Sequence, residues 1–223
     1  MEENNNNENF SVDKEQLKNE TKDTVNQVRE TIKNTDFKEE AVQTKGFLMD
    51  MFLKPVETVR RVASGEESVL SKAIVILVVY MIASAVQSLV SQLRFGSLKN
   101  IFGNIVSIIG AAINPLLLVL VPAILILILN RKNKKSMITI ISTIVIAFVP
   151  RVLSQIVSIL STLTSKLYFI TSPVTTLCSA ISFVLVYFGM KELFAEEEDN
   201  SFIKTFAIIE VLSAFIMYVI NSL

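Results

Sequence analysis

Residues 105–135 read IVSIIGAAINPLLLVLVPAILILILNRKNKK, twenty-five positions without a charge and then, past Asn130, four cations in five positions. A helix needs about 20 apolar residues to cross a hydrocarbon core about 30 Å thick, so Ile105–Leu129 is long enough to span a bilayer. The run is continuous rather than alternating, which argues against a membrane strand. Four more blocks of this kind lie around it: Val69–Val90 before it, then Met137–Leu160, Val174–Phe194 and Phe206–Leu223. The expected fold is therefore all-α, a polytopic membrane helix bundle of about five transmembrane helices over residues 69–223. The quoted block extends back toward Ile101 and contains Asn114-Pro115 and Pro122, so one long kinked span and a span with a re-entrant lead-in both remain open.

The first 68 residues have a different character. The opening MEENNNNENF is acidic and asparagine-rich, where a targeting segment would be basic and then apolar. Residues 1–45 are expected to form a polar, largely disordered cytoplasmic tail, relieved only by a thin stripe of Leu17, Val25, Val28 and Ile32 that a fluctuating or partner-induced helix would use. Residues 46–68 are expected to be an amphipathic interfacial segment. Phe47, Leu48, Met51 and Phe52 share a helical face suited to pressing toward acyl chains. Pro55 then restarts the helix, with Arg60 and Arg61 near its C-terminal end and Gly65 as its stop.

Charge sets the orientation. Residues 1–46 hold eleven acids and seven bases, the remainder ten acids and fourteen bases, so the membrane part carries the basic excess. Lys54, Arg60, Arg61, Lys72, Arg131, Lys132, Lys134, Lys135, Lys191 and Lys204 fall at one set of span ends, and Arg94, Lys99 and Lys166 at the other. Ten against three places the N-terminus in the cytoplasm and the C-terminus on the opposite side. The cluster Arg131, Lys132, Lys134 and Lys135 is a candidate for lipid-headgroup contact, with topology as its simpler role.

Composition also narrows the chemistry. The chain has no histidine, which excludes the HExxH zinc helix and every Ser-His or Cys-His dyad. Its single cysteine, Cys178, lies in an apolar block and pairs with no second thiol in the chain. Phosphate-binding glycine loops, GxGxxG, paired intramembrane aspartates and a nucleophile-type serine frame are all missing. The expectation is a protein that is not an enzyme, takes no cofactor or metal, and binds no nucleic acid.

Inside the membrane, ionisable residues are costly and draw attention first. They are Arg151, just after Pro150, and Glu210. Counted at about 1.5 Å per residue from the cytoplasmic ends of their blocks, Arg151 lies about 21 Å deep and Glu210 about 7 Å, so pairing would need tilt and snorkelling. Pro150 should kink the third span and free a carbonyl for the guanidinium. Asn114, with Gln87, Asn130 and Gln155, reads as an interhelical hydrogen-bonding group or as part of a polar path.

FLMDMFLKPVETVRRV (residues 47–62), the basic hinge RKNKKS leading into ISTIVIAFVP with its proline near mid-membrane, and a last span that ends the chain together resemble the Yip domain family. This is the Ypt-interacting-protein group of five-span membrane proteins, and the resemblance runs from Gly46 to Leu223. It implies a non-catalytic membrane protein acting in membrane organisation, scaffolding or a trafficking-like role. Eukaryotic members associate with Rab-type GTPases, whereas bacterial members mostly lack an assigned role. The Lys/Asn/Ile-rich usage points to a bacterial member in the plasma membrane. Expected partners are the lipid bilayer, a protein captured by the cytoplasmic tail, and a second copy of the chain. The rival reading is a small secondary transporter or permease subunit with a polar path through Arg151 and Glu210.

Overall fold

The computed structural model describes residues 14–65, 69–95, 101–129, 135–195 and 197–222. Among them the structure is helical throughout, with no strand. The helices are α1 (Lys14–Asn34), α2 (Phe37–Leu53), α3 (Pro55–Ser64), α4 (Leu70–Phe95), α5 (Ile101–Leu129), α6 (Met137–Ala147), α7 (Val149–Leu163), α8 (Tyr168–Leu193) and α9 (Asp199–Ser222). A 3-10 turn at Ser165–Leu167 leads into α8. Four helices, α4, α5, α8 and α9, are each long and apolar enough to cross a membrane, and α6 with α7 makes a fifth if that bent pair is one span.

Most breaks follow from single residues. Asp36 accepts from the backbone N–H groups of Lys38 and Glu39, at 2.9 and 3.3 Å, and so starts α2 afresh. Pro55 pushes Lys54 out of helical geometry and opens α3 at its first turn. Gly65, at φ +86°, closes α3 in the left-handed conformation that glycine adopts without a Cβ clash. Ser136 caps α6 by accepting from Thr139 N–H at 3.2 Å. Pro150 has no N–H to give Ile146 and its ring crowds that carbonyl, so the helix breaks at Phe148 and bends by 43°. α5 behaves differently: it stays one continuous helix from Ile101 through Pro115 and Pro122 to Leu129.

α6 is the axis of the bundle. Ile140 and every residue from Ser142 to Pro150 are buried, and α3, α4, α5 and α8 surround the helix. Gly189 of α8 makes the tightest approach. A Cβ there would stand 2.7 Å from Thr143 Cγ2 and 2.8 Å from Val59 Cγ1, so the bare glycine lets α8 close on α6 and α3 together. α9 joins through Phe202, Phe206 and Ile209, with Tyr187 of α8 set edge-on to both phenylalanine rings. The surface facing away from the core is apolar. On α4, Val79, Ile82, Val86 and Leu89 recur at helical spacing and stay exposed, as lipid-facing residues do.

The N-terminal part carries helices too. From Lys14 onward the tail is helical, and the boundary expected at residue 45 falls inside α2. The thin stripe is enough to dock α1: Val25, Val28 and Ile32 line a hollow with Leu120, Met137 and Ile141 of the bundle. The interfacial segment is also more deeply embedded than its sequence suggests. Phe47 and Met51 are buried in the protein core, and Ser71 donates to Glu40 at 2.9 Å, joining α2 to α4. In α3, Thr58, Val59, Val62 and Ala63 are buried among α2, α6 and α8, with Arg60 over the Phe188 ring at 5.1 Å. The physical reason is that an apolar face beside a helical bundle has protein as well as acyl chain to pack on. Phe52 alone of the four expected interfacial residues is exposed, beside Met49 and Leu53.

Candidate functional site

Arg151 and Glu210 line one cavity. Arg151 emerges in the first turn of α7, immediately after Pro150, and its guanidinium folds back over the Phe148 ring at 5.0 Å. Glu210 approaches from α9. The cavity between them measures about 200 Å³ and is walled by α5, α6, α8 and α9, through residues such as Ile126, Phe183 and Met190. The helix that carries Glu210 is longer than its apolar block. α9 begins at Asp199, seven residues before the apolar block at Phe206, so Glu210 lies about 16 Å along its helix rather than about 7 Å. The polar first turns of α9 belong to the same helix, packed by Phe202.

The pair still forms no contact ion pair. Among the described residues the salt bridges are Lys54–Glu57 and Lys191–Asp199. Arg151 and Glu210 line the same cavity without touching. Ser213, one turn from Glu210, points a buried hydroxyl into this region without a hydrogen-bond partner. Pro150 contributes no polar atom; buried at the bend, it aims the first turn of α7.

Asn114 lies elsewhere. It belongs to a second cleft of about 290 Å³ between α4, α5 and α7, with Gln87, Ser88, Ser107 and Gln155. Gln155 donates its side-chain amide to the Gln87 carbonyl and so ties α7 to α4, the interhelical bond expected of such residues. Gln92 donates to Ser107 at 3.1 Å, joining α4 to α5. The side-chain oxygen of Asn114 is buried and lacks a partner.

Of the basic cluster, Arg131, Lys132 and Lys134 lie outside the described residues. Lys135 donates its ammonium to the Ser64 carbonyl at 3.0 Å. It thereby caps the last turn of α3 with a cation and ties that helix to the start of α6. No group of three His, Cys, Asp or Glu side chains among the described residues is placed to hold a metal.

Residues that sequence reading passed over are Tyr80, Ser84, Ser213 and Gly189. Tyr80, Ser84, Gln87 and Ser91 recur at four, three and four positions along an apolar helix, a polar stripe opposite the lipid-facing one. That periodicity was available in the sequence.

The Yip1 domain profile matches residues 49–220, from the end of α2 to the last turn of α9. The chain belongs to the Yip1 domain family. It is a membrane protein of that family, with apolar spans of the kind its sequence carries. Comparison with curated proteins and with solved structures returns no match.

Proposed function

We propose that this Yip1-domain protein is non-catalytic and acts by binding, as a membrane scaffold that captures a protein partner on its cytoplasmic face. The observation that carries this reading is the outer side of α2. Val42, Met49 and Leu53, spaced seven and four residues apart, are 71%, 61% and 73% exposed, while Phe47 and Met51 on the opposite side anchor the helix to the bundle. A helix held on one face and apolar on the other presents a platform for a partner helix.

Orientation rests on the Lys/Arg asymmetry and on the bent pair being one crossing. α6 and α7 are about 16 and 22 Å long, and at 43° they advance about 33 Å together, close to one hydrocarbon thickness. A re-entrant loop would reverse direction instead. Five crossings put the termini on opposite sides, in a bacterial plasma membrane on the composition argument.

Affinity capture from membranes carrying the full chain tests the scaffold. Met49→Asp with Leu53→Asp, or removal of residues 1–46, should abolish recovery of the partner, and Glu210→Gln should leave it unchanged. Capture that survives both changes while Glu210→Gln abolishes function would favour the second reading. In that reading the protein is a small transporter or permease subunit, supported by Arg151 and Glu210 facing one mid-bundle cavity without pairing.

A further inference from the structure

Arg151 of α7 and Glu210 of α9 line one cavity, and neither takes part in a salt bridge among the described residues. Arg151 stands instead over the Phe148 ring, 5.0 Å from its centroid. A cation held over a ring keeps N–H donors for an oxygen acceptor. The hydroxyl of Ser213, one turn along α9 from Glu210, is buried in the same lining without a hydrogen-bond partner. A charge at membrane depth is costly until something pairs with it. Here a guanidinium, a carboxylate and a hydroxyl surround a space of about 200 Å³ rather than closing on one another.

The rest of the lining narrows what that space can hold. Every other lining residue is apolar, Ile126, Ile144, Phe183 and Met217 among them. Water needs roughly two to four polar partners, which these walls do not offer away from the three polar side chains. Arg151 and Glu210 together sum to zero charge. A lone anion or a lone cation would therefore leave the cavity charged within an apolar surround, whereas an occupant carrying both signs leaves it neutral. Pockets for drug-sized ligands run about 300–1,000 Å³, so about 200 Å³ suits a smaller body. A carboxylate or phosphate accepts the fork of a guanidinium. A primary ammonium has N–H donors enough for the Glu210 carboxylate and the Ser213 hydroxyl together.

We infer that this cavity is a binding site for a small zwitterion with a primary ammonium group: its anionic group on Arg151, its ammonium on Glu210 and Ser213, and its apolar part against the walls. The headgroup of phosphatidylethanolamine and a free apolar amino acid share this chemistry. The inference deepens the second reading above and rests on it for the cavity alone, because it needs binding and not transport.

The test is thermal unfolding of the purified full chain in detergent, followed by circular dichroism, in titrations with L-leucine and with dihexanoyl phosphatidylethanolamine. At about tenfold its dissociation constant the zwitterion that fits should raise Tm by about 3–6 °C. A shift with leucine alone assigns the site to a free amino acid, and one with the lipid alone assigns it to a headgroup; either supports the site. The matched phosphatidylglycerol, which has only the anion, and leucine methyl ester, which has only the ammonium, should give no shift. The matched phosphatidylcholine should also fail, because its quaternary ammonium has no N–H to donate. Glu210→Gln should abolish the zwitterion shift and admit phosphatidylglycerol, and Arg151→Gln should abolish it and admit leucine methyl ester. A substitution that merely loosened the fold would not exchange one ligand for another. Should those variants fail to fold, Ser213→Ala should weaken zwitterion binding about tenfold. Three outcomes would overturn the inference: no shift with either zwitterion, a single-charge compound shifting the unmodified chain as far, or zwitterion binding unchanged by Glu210→Gln or, where that variant does not fold, by Ser213→Ala. A shift without movement of the same labelled compound across proteoliposome membranes supports the site and removes only the transporter reading.

Discussion

Substituting alanine for two glycines separates the packing of this bundle from helix propensity. Gly110 and Gly189 both lie inside long helices, and alanine is worth about 1 kcal/mol over glycine there. At Gly110 nothing stands within 4 Å of the added Cβ, so the full gain should appear. At Gly189 the Cβ meets Thr143 Cγ2 at 2.7 Å and Val59 Cγ1 at 2.8 Å. Both neighbours are β-branched and stiff at χ1, and both are buried, Val59 at 0% exposure. Overpacking of this kind costs about 1–3 kcal/mol. The propensity term cancels between the two variants, so Gly189→Ala should fall about 1–3 kcal/mol below Gly110→Ala. For a chain of this size that is about 2–12 °C in Tm, read by thermal unfolding of the purified full chain in detergent with circular dichroism. Adding Val59→Ala should recover part of the loss, because the α3 side of the collision is gone. Equal melting temperatures, or a more stable Gly189→Ala, would refute the tight three-helix contact and with it the docking of α3 inside the bundle.

Phe202→Ala should destabilise the protein by about 3–5 kcal/mol, since Phe202 is 1% exposed and joins α9 to Phe194 and Tyr187; protease resistance of α9 in membranes reports it. Gln87→Leu and Gln155→Leu should each cost stability, and a double-mutant cycle should return a coupling of about 0.6–2 kcal/mol, whereas additive losses would break the α4–α7 bond. Asp36→Ala should cost about 1 kcal/mol of α2 helix stability, seen as faster proteolysis between α1 and α2. Single cysteines at positions 5, 133 and 198 should label from the cytoplasm and those at 97, 165 and 223 from outside. Labelling of 223 from the cytoplasm would make the number of crossings even.

The membrane bundle was legible because hydrocarbon leaves little choice. A charge-free run such as Ile105–Leu129 must satisfy its own backbone, and only a helix does so without neighbours. The bend in the third span was legible for a similar local reason, since Pro150 removes a donor wherever it sits in a helix. The N-terminal helices were less so. α1 carries only a few apolar residues among many charges, and those few line a hollow with Leu120, Met137 and Ile141. That partner surface comes from residues about a hundred positions away, and no local pattern announces it. The segment holding Phe47 and Met51 shows the same limit: amphipathicity says that a face is apolar but not whether lipid or protein covers it.

The charged pair was visible as two residues and not as a geometry. Depth estimated from hydropathy starts counting at Phe206, because Asp199–Thr205 are too polar to be called membrane. The helix ignores that boundary, for Phe202 is as buried as any core residue and carries the polar turns along with it. The packed helices bring Glu210 and Arg151 to the lining of one cavity. Tyr80 and the serine and glutamine stripe of α4 gain meaning from the cleft they line with α5 and α7. Each step needs the neighbouring helix in place. A polar stripe on one apolar helix reads as interhelical glue, and only the faces of α4, α5 and α7 meeting make a cleft of it. Arg151 and Glu210 belong to the other cavity, which α5, α6, α8 and α9 close around them.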